Sequence, residues 1–294
     1  MLIDRNKLIG DVKRTHIEKF LRDVANGKTA IDEKTKKHGR VIVKGGKGTA
    51  TRTVRLLGGI FSYAVNNSYL KTNPRTGVKL YADKKNERFL STSELENLGD
   101  ALRTAETIGL PWKLKDREKS KHLPTNEDNR REIMSPSVIA AIKLLMLTGC
   151  RVSEILKLRW SEVDFENAWL NLPDSKTGAK RIILGKSSLE ILSNLPQTGI
   201  FVIAGANPQR PRSDLKRPWK RIIEYADLND LRLHDLRHTY ASIGAASGMG
   251  LSMVGKLLGH ASPSTTQRYS HFADDPLRRA SDEIDNKIAS AMGD

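Results

Sequence analysis

Six residues in the second half of this 294-residue chain have types and settings that could act together on a phosphodiester: Arg151, Lys176, His234, Arg237, His260 and Tyr269. Cleaving such a bond needs a nucleophile, charge stabilisation on the non-bridging oxygens and a proton for the departing oxygen. The Tyr269 phenol suits a reversible break, because a phosphotyrosine ester preserves the bond energy for resealing. Arg151 and Arg237 are permanent cations whose forked donors match phosphate geometry. Lys176 lies in the turn Asp174-Ser175-Lys176-Thr177-Gly178 between two strand candidates, where it can reach outward. His234 and His260 supply hydrogen bonds and proton handling near neutral pH.

Each residue alone has an ordinary reading. Arg151 would be a helix-start arginine in a surface pair, Lys176 a turn lysine, His260 after its glycine a helix C-cap, and Tyr269 a partly buried core tyrosine, as Tyr63 and Tyr240 are read in their apolar helical runs. Six independent coincidences in one order argue for the shared chemistry instead. Glu154, one helical turn after Arg151, either orients the arginines or is simply solvated.

Other chemistries lack their residues. Gly27-Lys28-Thr29 and Gly185-Lys186-Ser187 end like a phosphate-binding loop, but Arg22 and Lys180 stand where its first glycine belongs. No H-E-x-x-H motif and no carboxylate cluster at two-metal spacing is present. Cys150 is the single cysteine, which rules out an intramolecular disulfide and a cysteine-based zinc site.

The elements that must position these residues can be traced by periodicity. Thr15-His16-Ile17-Glu18 has capping-box spacing, and Ile17, Phe20, Leu21 and Val24 follow at helical intervals. Residues 28 to 48 are rich in Lys and Gly around a short strand at Arg40 to Val43, which predicts a basic loop or hairpin. A second helix covers roughly Thr49 to Asn66, with Val54, Leu57, Phe61 and Ala64 on one face and Arg52 and Arg55 elsewhere. On local pattern those two arginines fit a solvated face as well as a DNA-facing one. Asp83 to Arg88 reads as a linker, and residues 112 to 132 as a charged surface excursion. Ser135-Pro136 opens an apolar helix from Val138 to Leu147, and a further helix starts near Arg151. Trp169 to Leu172 and Arg181 to Leu184 form a hairpin with Lys176 at its tip; from Arg217 onward the pattern is almost wholly helical. Leu277, Ala280, Ile284, Ile288 and Met292 form one stripe of a terminal helix.

Taken together, the segments around Arg151 and Lys176, His234-Asp235-Leu236-Arg237-His238-Thr239, Leu258-Gly259-His260 and Arg268-Tyr269 resemble the tyrosine recombinase family of phage-integrase type, over essentially the whole chain. The resemblance implies a mainly α fold: a helical, SAM-like core-binding domain at 1–82, a linker at 83–90, and a mixed, mostly helical catalytic domain at 91–294 with a small β-sheet and a tail at 277–294. This is the DNA breaking-rejoining enzyme fold. It implies cleavage by Tyr269 to a 3′-phosphotyrosine, with Lys176 as general acid to the 5′ oxygen, His234 assisting the tyrosine proton and His260 bracing the phosphate. Rejoining would pass through a Holliday junction, in integration or excision of a mobile element or prophage. Arg52 and Arg55 become DNA-binding candidates, and a homotetramer on double-stranded DNA is expected, with accessory DNA-bending or directionality factors as further candidates. No cofactor or metal is implied. Many members begin with an arm-binding domain; here Met1 falls just before the first core-binding helix, which fits either a short member or a chain lacking its N-terminal part.

Charge agrees with a polyanionic partner. The net charge is +16, and residues 1 to 88 carry 21 Lys and Arg against 8 Asp and Glu. The absence of a long apolar run or a signal-peptide pattern leads to a cytoplasmic expectation, without membrane contact. Two alternatives remain open at this point. A type IB topoisomerase uses a similar site but reseals the same strand, and a catalytically silent DNA-binding protein could use the same fold.

Overall fold

The computed structural model describes residues 7–36, 39–82, 88–112, 126–173, 178–260 and 262–292. The chain forms two compact units, Met1–Asn86 and Glu87–Asp294.

In the first unit, α1 (Arg14–Ala25) turns Ile17, Leu21 and Val24 onto one buried stripe. Its start differs from the expected Thr15 cap: His16 Nδ1 accepts the Lys13 backbone N–H at 3.1 Å, so a ring nitrogen at the third helical position does what a capping carboxylate would do. An antiparallel hairpin follows, β1 (Ile31–Lys34) with β2 (Arg40–Val43), in the register Ile31 to Val43 and Lys34 to Arg40, exposed along its whole length. α2 (Lys47–Asn66) buries Ala50, Val54, Phe61 and Ala64, and the first three make a small core with the α1 stripe and Val78. Arg52 and Arg55 lie on its exposed side.

The second unit opens with α3 (Thr92–Thr107), started by a reciprocal cap in which Ser91 Oγ accepts the Glu94 N–H and Glu94 accepts the Ser91 N–H. Short strands β3 (Leu110–Pro111) and β4 (Arg131–Glu132) pair antiparallel, so the described ends of the charged 112–132 excursion are fastened side by side. α4 (Pro136–Thr148) is buried almost all round and forms the axis of the core, with Ile139, Ile142, Leu144 and Leu145 fully enclosed. Each such side chain contributes roughly 1.5–3 kcal/mol by leaving water. The helix expected from Arg151 is a single short turn, α5 (Val152–Leu156), ended as the chain enters the sheet. That sheet is β5 (Val163–Asp164), β6 (Trp169–Leu172) and β7 (Lys180–Ile183), in sequential antiparallel order. Alternating burial of Leu170 and Leu172 seats it on the core. Helices α6 (Lys186–Ser193), α7 (Lys216–Tyr225), α8 (Leu233–Ala246), α9 (Leu251–Leu258) and α10 (Asp274–Met292) complete the unit. Among the described residues no helix is long and apolar enough to cross a membrane.

Candidate active site

Three helix ends and one helix face build the site. α4 stops at Gly149, whose φ of +62° closes the helix by a Gly149 N–H bond to the Leu145 carbonyl. A side chain there would be strained by φ, and its Cβ would lie 2.8 Å from both Leu258 Cδ2 and Tyr240 Cδ1. The sharp turn puts Arg151 at the entry to α5. α9 likewise ends at Gly259, φ +65°, with the His260 N–H reaching the Gly255 carbonyl and the Gly259 N–H the Lys256 carbonyl. These paired bonds fix the direction in which the chain leaves, and His260 is the first residue beyond.

The face is that of α8. His234, Arg237 and His238 recur at three and four residues, so they share one side of the helix. Asp235, fully buried, points the other way and caps α8 by accepting the Arg232 N–H at 2.7 Å. Leu236 enters the core.

Arg237 links the two helix ends. Its guanidinium donates to the Gly149 carbonyl and, at 2.9 Å, to the Leu258 carbonyl. Arg237 is buried, and both desolvation and the nearby Arg151 charge work against its cation. A guanidinium nonetheless keeps its charge in proteins. Arg151 is more open and is held from behind: Glu154 accepts its backbone N–H and its Nη1, each at 2.8 Å. Glu154 also accepts from Lys180 Nζ at 2.9 Å. Burial works to raise the Glu154 carboxyl, but the Lys180 and Arg151 hydrogen bonds outweigh it and keep the group below the usual carboxylate range. Of the two readings left open for Glu154, the structure realises the orienting one. Lys180 also packs along Gly259, where an added Cβ would meet Lys180 Cδ at 2.7 Å, so one side chain touches the supports of both Arg151 and His260.

Burial and the neighbouring cations shift both His234 and His260 toward the neutral form. Desolvation, with the Arg237 and Arg151 charges next, lowers His260 to about 4, and its Nδ1 lies 2.8 Å from the buried Thr266 hydroxyl. His234 is exposed on its solvent side, yet desolvation and Arg237 lower it too.

Tyr269 sits in the 3₁₀ segment Gln267–Ala273, buried with Ala241, Ala245, Val254 and Leu258. Its hydroxyl lies 2.7 Å from His238 Nδ1, while His234 stacks edge-on against His238 with ring centres 5.0 Å apart. The imidazole in contact with the phenol is therefore His238, and not His234, which the sequence singles out. The signal for it is the second histidine of His234-Asp235-Leu236-Arg237-His238, one turn along the same face. Lys176 lies outside the described residues. Arg151, His234, Arg237, His260 and Tyr269 converge on the region around α8, and Arg52 and Arg55 belong to the other unit.

Residues 117–275 match the model of the phage integrase family. Among individual relatives, a tyrosine recombinase XerA from Saccharolobus solfataricus is 33% identical over 142 residues, covering 47% of this chain and 46% of the relative. The integrase of Salmonella phage P22 is 25% identical over 221 residues, covering 65% and 56%. This chain thus spans about half the length of these two curated relatives. A solved structure of the Tn1549 transposon integrase with transposon right end DNA shares the fold, with a TM-score of 0.65 over 96% of this chain and 89% of that one at 17% identity.

Proposed function

Because this chain belongs to the phage integrase family, we propose that it is a site-specific DNA recombinase that breaks and rejoins duplex DNA through Tyr269. The observation that carries the reading is the Arg237 bridge between the Gly149 and Leu258 carbonyls. It ties the helix end that precedes Arg151 to the helix end that precedes His260, which supports the reading that both residues serve one phosphate.

In the proposed reaction a scissile phosphate rests on Arg151, Arg237 and His260. The Tyr269 oxygen forms a bond to phosphorus as the bond from phosphorus to the 5′ oxygen breaks, leaving a 3′-phosphotyrosine. Lys176 gives a proton to the departing 5′ oxygen. His234, neutral and open to solvent, receives the phenol proton. Attack by a partner strand's 5′ hydroxyl reverses these bond changes, and two such exchanges pass through a Holliday junction. The first unit acts as the core-binding module, with Arg52 and Arg55 on double-stranded DNA, and residues 91–294 as the catalytic module. Protomers work as a tetramer joined through α10, within a system that integrates or excises a mobile element.

The test is capture from a pool of randomised, nicked duplexes, read as protein–DNA adduct on a denaturing gel and mapped by peptide mass spectrometry. The wild type forms an adduct at Tyr269 and Tyr269→Phe forms none. An adduct on another residue, or none from the wild type, removes the proposal. Recombinants from substrates bearing two captured sites separate it from a strand-relaxing topoisomerase.

A further inference from the structure

Building on the reading of Tyr269 as nucleophile, we propose that His238 is a latch: its Nδ1 accepts the Tyr269 hydroxyl and keeps the phenol in a buried resting place from which it must be released to attack. Three observations support this. The contact is 2.7 Å and wholly internal, with His238 6% and Tyr269 5% exposed. His238 touches both rings: the Tyr269 ring is tilted against it with centres 6.0 Å apart, and the exposed His234 ring meets it edge-on at 5.0 Å. A phenol bound to His238 is thus turned toward the inner member of the pair, while the groups that would meet DNA, His234 and Arg151, are the more open ones.

The chemistry of His238 suits holding rather than proton removal. Desolvation, reinforced by His234 and Arg268, lowers it to about 4. The ring is therefore neutral wherever duplex DNA is handled, and in its Nε2–H tautomer it is Nδ1 that carries the accepting lone pair. An imidazole so lowered is a poor base toward a phenol, whose ordinary value is about 10. His238 thus restrains the O–H without carrying its proton away. The helix supplies the rigidity: His238 follows Arg237 directly on α8, so the latch and the carbonyl bridge move as one piece. Repositioning the 3₁₀ segment Gln267–Ala273 at the start of α10 is then the means of release, because Tyr269 is carried by it.

The experiment compares His238→Asn with His238→Gln in the full chain. An Asn amide places a polar atom near the position of Nδ1, whereas a Gln amide places it near Nε2 and removes the acceptor that His238 offers the phenol. In DNA-free protein, nitration of Tyr269 by tetranitromethane, read by peptide mapping, is expected to be about fivefold faster in His238→Gln, the scale of one lost neutral hydrogen bond, and restored to the wild-type rate in His238→Asn. Adduct formation on a single captured duplex should rise in the same ratio for His238→Gln. Equal nitration in the two variants, or none faster than wild type, overturns the latch. Slower adduct formation by His238→Gln also overturns it, since the imidazole would then be needed for the reaction itself. Failure of the wild type to form any adduct strikes the nucleophile assignment, while the nitration comparison still decides the His238 contact.

Discussion

Lys180 places its ammonium 2.9 Å from the Glu154 carboxylate, with side chains only 8% and 5% exposed. A buried ion pair adds little net stability over an apolar pair of similar size, but losing one partner leaves the other charge stranded. Glu154→Gln is therefore expected to destabilise the larger unit by about 3 kcal/mol. Adding Lys180→Met should recover much of that loss in urea denaturation. Cleavage should stay slow in the double variant, because Arg151 has lost the carboxylate that orients it. Full recovery of both properties would show that Glu154 serves Lys180 alone.

Stability should fall on mild acidification. His238 and His260 are each lowered to about 4 in the folded chain, against about 6.5 when unfolded. Well above pH 6.5 neither state binds these protons and the groups contribute nothing to the slope. Between pH 6.5 and 4 the unfolded chain takes up protons that the fold excludes, so stability drops as pH falls. For His238 the expected loss at pH 5 is about 2 kcal/mol relative to pH 7.5. Urea midpoints at the two pH values check this, and His238→Asn should remove about half of the part due to these two groups.

Legibility follows the range of the interactions. The α8 face, the β6–β7 hairpin and the enclosed α4 can be read because their periodicity is local. The α1 start is displaced because His16, not Thr15, supplies the capping atom. In the sequence Lys180 stands out only as a residue that spoils a phosphate-binding loop, and its place beside Glu154 and Gly259 depends on how β7 meets α5 and α9. The Tyr269–His238 contact spans 31 positions and arises only when the 3₁₀ segment folds onto α8. The 112–132 stretch reads as pure excursion, yet Arg221 on α7 pairs with Glu132, 89 positions away, and donates to the Leu110 carbonyl at 3.0 Å, so its ends are anchored by a distant residue.

Arg237→Lys keeps a positive charge but cannot reproduce a planar fork. An ammonium could serve either the Gly149 or the Leu258 carbonyl with difficulty and both hardly at all. Stability should drop by about 1–3 kcal/mol for the carbonyl left unsatisfied. Adduct formation should slow by roughly a hundredfold, the order of losing one preorganised donor. Single-turnover cleavage alongside thermal unfolding separates the two losses, and a stable protein with near-normal cleavage would mean that the phosphate lies elsewhere.

The apolar stripe of α10 gives the last prediction. Leu277, Ile284, Ile288 and Met292 are 64, 59, 54 and 73% exposed, so these four side chains do not pack into their own unit. A helix with one apolar and one charged side gains by covering the apolar one, and in the proposed tetramer the cover is a neighbouring protomer. The position matters because α10 begins five residues after Tyr269, with the 3₁₀ segment between. A pull on α10 by a neighbour would reach the phenol and its His238 contact within two turns of chain. Ile284→Glu combined with Ile288→Glu should leave folding unchanged within about 0.5 kcal/mol, as expected for exposed positions. Binding to one captured duplex should also be unchanged. Cooperative binding to paired sites, and recombination between them, should fall by roughly tenfold or more, because each isoleucine withdrawn from an apolar interface costs about 1 kcal/mol or more. Gel shifts with one and two sites make the comparison, and a loss of melting temperature in the double variant would instead place the stripe against its own unit.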